Sequence, residues 1–213
     1  MKFQFMKKII PALLFVTVTA FAGEAVLNKF YLRADGGYGF PQSTKNSNLN
    51  YSFKNTPVYG VGAGFRFNDM FRADINYQHM ELKSDKNSLA FSKSSTDAIF
   101  LNGYFNLTDF EQMTPYLTGG VGYAMNNSKN VRRTQGIVVT TAEGDKTKSF
   151  AWNVGAGTTL QVHKNTYLDF GYRFVNIGDV KMKNVQEDGD QIPPIHLKKN
   201  KVHQVTVGLV FNL

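Results

Sequence analysis

The chain contains no cysteine, only 6 prolines and a single tryptophan. The absence of cysteine excludes a disulfide framework, cysteine zinc sites and cysteine nucleophiles. No apolar run long enough for a transmembrane helix, which needs about 18 residues, occurs after residue 22. The sequence therefore excludes a helical membrane protein. Since 42% of the residues are hydrophobic, it also excludes an intrinsically disordered chain.

Aromatic residues and glycines are abundant in this chain. Phe, Tyr and Trp make up 14% of its 213 residues, and there are 19 glycines. Aromatic residues favour strands and glycines favour turns, so this composition predicts an all-β protein. The length corresponds to one domain, or at most two small ones, and the formal net charge is +8.

The first 22 residues have the three parts of a secretory signal. Lys2, Lys7 and Lys8 supply the positive end, and a short apolar stretch follows at 9–18. Ala20-Phe21-Ala22 then provides the small-x-small cleavage pattern. We therefore expect a signal peptide at residues 1–22, cleaved after Ala22, and an exported domain at residues 23–213.

The exported part consists of eight segments in which apolar residues alternate with polar or small ones. Each segment is about 9 to 13 residues long, which is typical of β-strands. The predicted strands are Phe30–Phe40, Pro57–Phe67, Phe71–Leu82, Asp97–Leu107, Thr114–Ala124, Phe150–Val162, Tyr167–Val175 and Val202–Leu213.

One face of these strands is aromatic and aliphatic, whereas the other combines charged and small residues. The interior of an eight-stranded barrel is only wide enough for side chains to fill it. Glycines on the polar face would leave room for long arginines to meet aspartates. The pattern therefore favours a polar interior and an apolar exterior, although a soluble barrel would have the reverse. The predicted interior ion-pair network, with a structural role, is Arg33, Asp35, Arg66, Arg72, Asp74, Asp169 and Arg173.

Phe100 and Tyr104 fall on the polar face of the fourth segment. Their position leaves two interpretations open, a β-bulge in this strand or a wrong assignment of its faces.

Long and short connections alternate along the chain. The long ones are 41–56, 83–95, 125–148 and 178–201, and the short ones are 68–70, 108–113 and 163–165. This sorting is typical of outer-membrane barrels, which have short turns on one side and long loops on the other. The prediction is a monomeric, eight-stranded, antiparallel, up-and-down transmembrane β-barrel. Within the third long loop, residues 136–141 predict a strand that extends above the membrane.

The long loops carry the excess positive charge. Candidate contact residues are Lys45, Lys54, Lys129, Arg132, Arg133, Lys198 and Lys199. Such loops favour electrostatic capture of acidic surfaces, for example heparan sulfate or acidic protein segments. The alternative is that the loops are simply solvated or bridged to lipopolysaccharide phosphates. Nucleic acid is not an expected partner of an exported barrel.

The sequence offers no pattern for catalysis or for metal binding. The four histidines His79, His163, His196 and His203 lack the spacing of metal ligands. Asp35, Asp74 and Asp169 each have an arginine nearby in sequence, so ion pairing explains them better than acid–base chemistry. We therefore expect neither enzyme activity nor a cofactor.

Several strands resemble the OmpA/Opa-type eight-stranded outer-membrane barrels, the opacity-like surface antigens. The likeness lies in Phe30–Tyr38, Thr114–Tyr123, Ala151–Gly157 and Leu168–Arg173. The chain end is similar to the signal that the barrel-assembly machinery reads, with Gly208, Phe211 and Leu213 at its key positions. Leu213 replaces the usual terminal aromatic residue.

This resemblance implies a Gram-negative outer-membrane protein with surface-exposed loops. Members of the group include adhesins of host-associated bacteria. The first strand is similar to that of small-barrel adhesins of intracellular bacteria, some of which are associated with recruiting vitronectin. The resemblance thus implies an adhesin or surface antigen that binds host proteins or glycans. The alternatives are a purely structural barrel and a narrow, OmpW-like transporter of small apolar molecules.

Overall fold

The alternating segments form strands that pair edge to edge. The computed structural model describes residues 28–42, 44–46, 49–51, 55–83, 93–107, 112–128, 131–135, 138–144, 146–178, 180–187, 190–192, 196–197 and 201–213. The expected signal peptide lies outside these residues.

In chain order the strands are β1 (Phe30–Pro41), β2 (Thr44–Asn46), β3 (Leu49–Tyr51), β4 (Thr56–Arg66), β5 (Phe71–Lys83), β6 (Lys93–Asn106), β7 (Met113–Ser128), β8 (Val131–Gln135), β9 (Val138–Gly144), β10 (Lys146–His163), β11 (Thr166–Asn176), β12 (Val180–Glu187), β13 (Asp190–Ile192), β14 (His196–Leu197) and β15 (Lys201–Asn212).

Eight of these strands close into a barrel in the order β1-β15-β11-β10-β7-β6-β5-β4. Every neighbouring pair is antiparallel, and the seam between the first and last strands runs from Tyr31↔Asn212 to Pro41↔Val202. The predicted all-β, eight-stranded, up-and-down barrel is therefore confirmed. Within the described part of the chain, no helix is long and apolar enough to span a membrane.

Some strands extend further toward the long loops than the sequence predicts. β6 begins at Lys93 instead of Asp97, and β7 and β10 pair as far as Lys146↔Asn127. Apart from Met125, these extensions are polar on both faces, so they lack the apolar alternation that marks the rest of each strand. The barrel wall therefore continues beyond its apolar belt, and the second and third long loops are shorter than expected.

β6 contains neither a bulge nor a reversed face among its described residues. Its pairing with β5 and β7 shows no register shift. Phe100 and Tyr104 are 1% and 2% exposed and lie inside the barrel. The barrel does contain a register shift in β10, between Gln161 and His163.

The outer surface of the barrel is an apolar belt with aromatic residues toward both ends. Exposed aromatic side chains toward the long-loop end include Tyr38, Tyr59, Tyr77, Tyr123 and Phe150. Toward the short-turn end they include Phe67, Phe71 and Phe211. An outward apolar band bordered by aromatic girdles is the surface of a barrel that spans a lipid bilayer.

The interior has two layers, which corrects the expectation of a polar lumen throughout. The layer near the short turns is polar and charged. The layer near the long loops is apolar and consists of Val58, Met80, Ala98, Phe100, Ala124, Ala151, Val175, Ile177 and Val202. These residues share the inward parity of the charged ones but lie closer to the loop ends of their strands, where water would otherwise enter.

Two of the long loops join in a second sheet. β8 and β9 come from the third long loop, and β12 and β13 come from the fourth; they lie side by side in the order β13-β12-β9-β8, and β14 pairs with β12. The strand predicted at 136–141 is β9, which begins at Val138, while Gly136 and Ile137 lie outside the described residues. β2 and β3 form a separate hairpin in the first long loop.

Candidate functional site

The polar layer of the interior is built around Arg33, which is 3% exposed. Its Nε lies 3.0 Å from Asp35 Oδ1 and its Nη1 lies 3.4 Å from Asp74 Oδ2. Its Nη2 lies 3.5 Å from Asp169 Oδ1. A guanidinium carries five N–H donors in a rigid fork, so one arginine can hold carboxylates from three strands. Arg33 thereby links β1, β5 and β11 across the lumen.

Arg72 and Arg173 complete the charge balance. Arg72 Nη2 lies 3.8 Å from Asp169 Oδ2, and its guanidinium carbon lies 4.4 Å from the ring centroid of Tyr104. Arg173 Nη2 donates a hydrogen bond of 3.1 Å to Tyr104 Oη. Three buried arginines (Arg33, Arg72, Arg173) thus face three buried aspartates (Asp35, Asp74, Asp169), and their formal charges cancel.

Tyrosine and asparagine side chains tie this cluster together. Tyr116 Oη donates to Asp169 Oδ1 at 3.0 Å, and Tyr31 Oη donates to Asp74 Oδ2 at 3.4 Å. Asn102 Nδ2 donates to Asp74 Oδ1 at 2.8 Å. Sequence reasoning did not assign these residues to the network. Their inward parity, which they share with the charged residues, is the signal that could have found them.

Glycines create the space that the charged and aromatic side chains occupy. A Cβ at Gly60 would lie 2.5 Å from Asp35 Oδ2, and one at Gly157 would overlap the hydroxyl of Tyr116. Small residues on the inward face of the strands therefore leave space that the charged and aromatic side chains fill, and the interior is packed.

Arg66 lies apart from the other six residues of the predicted network. Its Nη2 donates to Asn212 Oδ1 at 3.2 Å, and its guanidinium carbon lies 5.3 Å from the ring centroid of Tyr167. Both partners lie at the short-turn end of the barrel, so Arg66 caps the lumen there.

Toward the long loops, neutral pairs lie between the charged cluster and the apolar layer. Gln78 and Gln204 exchange two amide hydrogen bonds of 3.0 and 3.1 Å. Asn153 Nδ2 donates to Asn102 Oδ1 at 2.9 Å. The interior therefore passes from charged to neutral polar to apolar along the barrel axis, and the buried polar side chains of Thr56, Thr96 and Asn126 lie on the loop side of the apolar layer.

Two outward-facing histidines are hydrogen bonded near the loop end of the apolar belt. His79 Nδ1 lies 2.8 Å from Asp97 Oδ1, which also accepts a 2.6 Å bond from Tyr77 Oη. His203 lies 2.6 Å from Tyr172 Oη and 2.7 Å from Gln42 Nε2. Among the residues that the structure describes, no group of three or more His, Cys, Asp or Glu side chains could hold a metal ion.

The candidate loop residues are only partly described. Lys45 lies in the strand β2, and Arg132 and Arg133 lie in β8. The other four candidates, Lys54, Lys129, Lys198 and Lys199, lie outside the described residues.

The three residues of the predicted assembly signal lie on the seam of the barrel. Gly208 pairs with Asp35, and Phe211 pairs with Leu32 and is 48% exposed on the apolar belt. The backbone N–H of Leu213 donates to the carbonyl of Phe30 at 3.0 Å. All three residues therefore lie where the last strand meets the first.

Comparison with known proteins gives relatives that share this architecture. A candidate adhesin of Rickettsia typhi (strain ATCC VR-144 / Wilmington) is 24% identical, over 89% of this chain and 90% of that protein. A protein of Brucella abortus (strain 2308) is 25% identical, over 79% of this chain and 75% of its own length.

Among solved structures, Neisserial surface protein A is similar with a TM-score of 0.53 and 20% identity, covering 86% of this chain and 97% of that chain. The outer membrane protein OprG of Pseudomonas aeruginosa gives a TM-score of 0.54 at 11% identity, covering 87% and 97%. These two likenesses show the fold alone.

The protein family described as "Outer membrane protein beta-barrel domain" matches residues 9–211, which is nearly the whole chain. Together with the closed eight-stranded barrel and its apolar belt, this match places the protein in the outer membrane. The chain belongs to the family of outer-membrane protein β-barrels.

Proposed function

We propose that this barrel is a surface adhesin, which binds an acidic host protein or glycan through its long loops. The observation that carries the proposal is the sheet that the third and fourth long loops build together at one end of a closed barrel. A sheet shared by two loops is a fixed platform, because backbone hydrogen bonds hold its strands in register. It contains the candidate contacts Arg132 and Arg133 in β8. The likeness to a candidate adhesin of Rickettsia typhi supports the same role.

The interior disfavours the transporter alternative. A path for small apolar molecules would need open space along the axis. Instead, the charged cluster fills one end of the lumen, and Met80, Phe100 and Ile177 fill the other with exposures of 0%, 1% and 0%. The barrel then serves as an anchor for the loops, with a structural role for its ion-pair network.

A catalytic role is not part of the proposal. Each interior carboxylate lies within 4 Å of an arginine nitrogen, so none is a poised base in an open cleft. The pairs His79–Asp97 and His203–Tyr172 lie on the outer surface of the strands, where hydrogen bonding satisfies polar atoms beside an apolar belt.

The route to the membrane forms a further part of the proposal. Residues 1–22 direct export and are removed, and Gly208, Phe211 and Leu213 present the last strand to the barrel-assembly machinery. In the membrane the monomeric barrel is surrounded by lipid, with its basic loops next to the phosphates of lipopolysaccharide.

Host binding tests the adhesin proposal directly. We expect cells that display this protein to bind immobilised vitronectin or heparan sulfate, and we expect binding to weaken above about 0.15 M salt, since the attraction is electrostatic. Three variants neutralise the candidate contacts of the first, third and fourth long loops: Lys45→Gln/Lys54→Gln, Lys129→Gln/Arg132→Gln/Arg133→Gln and Lys198→Gln/Lys199→Gln. At least one should bind about tenfold more weakly, a change of roughly 1.4 kcal/mol. Lys164→Gln, in a short turn at the opposite end, is the control. Undiminished binding by all three variants would contradict the proposal.

A conductance measurement tests the anchor role of the barrel. In planar bilayers, the purified folded protein should give no current steps above those of the bare bilayer, because the charged and apolar layers both fill the lumen. A porin measured in the same bilayer serves as the positive control. Regular steps with this protein would instead favour transport through the lumen.

A further inference from the structure

The sheet formed by the third and fourth long loops has two edges of different character. Its inner strands are β9 and β12, which pair from Met182↔Gly144 to Glu187↔Thr140. β8 lies on one side, with register Val131↔Ala142 to Gln135↔Val138. On the other side β13 pairs with the end of β12. β8 and β13 are therefore the outer strands of this sheet.

The edge at β8 offers backbone groups for pairing. Within the described part of the chain, β8 pairs with β9 and with no other strand. Alternate N–H and C=O groups of an outer strand point away from its partner, which makes such an edge a template for one more strand. With five residues, β8 is also longer than β13, which has three.

Charge separates the two edges further. Arg132 and Arg133 occupy successive positions of β8, which contains no acidic residue. Successive strand positions lie on opposite faces, so each face of the sheet has one arginine position at this edge. The opposite edge carries Asp190, paired with Glu187 of β12. The edge at β8 is therefore suited to a negatively charged partner, and the edge at β13 is not.

We propose that the β8 edge binds an extended, acidic polypeptide segment as an additional antiparallel or parallel strand. Main-chain hydrogen bonds would supply the general affinity, and the two arginine positions would select acidic side chains on both faces of the added strand. This proposal rests on the adhesive function and names its partner as a polypeptide, because a glycan lacks the regular amide pattern that a strand edge recognises.

A pair of synthetic peptides separates strand addition from simple charge attraction. The first is a fluorescent peptide of about eight residues with the repeat Glu-Glu-Thr-Thr, which places Glu on both faces of an extended strand and is long enough to span β8. The second has the same sequence and charge but is N-methylated at two pairs of adjacent amides, so both of its edges lose hydrogen-bond donors. With the full chain folded in lipid nanodiscs, we expect the first peptide to bind at least about tenfold more tightly than the second. It should also slow amide hydrogen exchange at residues 131–135.

The chain offers a matched control for the arginines. Arg132→Ala/Arg133→Ala should weaken binding of the first peptide about tenfold. Lys29→Ala/Lys164→Ala removes the same charge from the short-turn end of the barrel, and it should change binding by less than about twofold.

Three results would overturn the edge proposal. The first is equal binding of the two peptides. The second is equal loss of binding in the two double variants. The third is concentration-dependent oligomerisation that the first peptide reverses, which would show that the acidic edge of a second copy occupies β8.

The adhesive function is judged separately, by host binding. Host binding that survives Arg132→Ala/Arg133→Ala, together with equal binding of the two peptides, would leave an adhesin that uses another surface. Strand addition by the first peptide without any host binding would support the edge proposal and contradict the adhesive function.

Discussion

Replacing Arg33 with methionine is expected to lower the free energy of unfolding of the barrel by about 3 to 5 kcal/mol. Arg33 lies within 3.5 Å of carboxylate oxygens of Asp35, Asp74 and Asp169, and the side chains of all four are at most 1% exposed. Methionine fills a similar volume but removes the positive charge. Three aspartates would then face only Arg72 and Arg173, and one carboxylate would remain buried without compensation.

The measurement is urea unfolding of the refolded protein in detergent micelles or lipid vesicles. Trp152 is the single tryptophan, and its ring lies 5.7 Å from that of Phe174 on the next strand, so its fluorescence reports on the barrel wall. The folded fraction is read independently from the faster migration of unboiled protein on a gel. If the variant refolds too poorly for an unfolding curve, this fraction still measures the loss.

Two further variants make the explanation specific. Arg66→Met removes the arginine that binds Asn212 at the short-turn end and meets no buried carboxylate in the cluster, so its cost should be below about 1.5 kcal/mol. Adding Asp74→Asn to Arg33→Met removes the surplus negative charge and should restore part of the lost stability. Equal losses for Arg33→Met and Arg66→Met, or no rescue by Asp74→Asn, would contradict an ion-pair role.

The period of a β-strand explains why the barrel could be predicted from the sequence. Successive side chains point to opposite faces, so the alternation of Arg33, Asp35 and Gly37 with Leu32, Ala34 and Gly36 fixes which residues face inward. The same parity correctly places Phe100 and Tyr104 inside, even though they are aromatic. Because adjacent strands follow each other along the chain, the order of strands around the barrel also follows from the sequence.

The contacts between strands could not be predicted in the same way. Asp74 lies 41 residues from Arg33 in sequence, and only the register and tilt of the strands bring their side chains together. The apolar interior layer was missed for a related reason. Inward residues such as Val58 and Met80 alternate with outward apolar ones. The alternation alone therefore does not show whether the loop end of the lumen is filled by apolar or by polar side chains. The pairing of β9 with β12 joins different loops, and no local pattern indicates it.

Gly37→Ala is the second substitution with a large expected effect, because Gly37 lies on the seam that closes the barrel. It pairs with Thr206 of β15. A Cβ at this position would overlap the carbonyl oxygen of Val205 and lie 2.8 Å from the Cα of Thr206. Both atoms belong to the backbone, so they cannot move aside as a flexible side chain would. The strands β1 and β15 would have to separate locally, which costs hydrogen bonds in a membrane that offers no water to replace them.

The neighbouring residue provides the control. A Cβ at Gly36 faces outward and would have Tyr59 Cδ1 at 3.9 Å as its nearest neighbour, an ordinary contact distance. Gly36→Ala should therefore fold like the parent protein, whereas Gly37→Ala should lose more than about 3 kcal/mol of stability. In refolding experiments most of the Gly37→Ala protein should then fail to reach the fast-migrating form. The two variants have the same change in composition and strand propensity at adjacent positions, so only the environment of the added methyl group differs. Equal folding of both would mean that the seam can widen by the width of a methyl group, and that its close backbone approach does not determine whether the barrel closes.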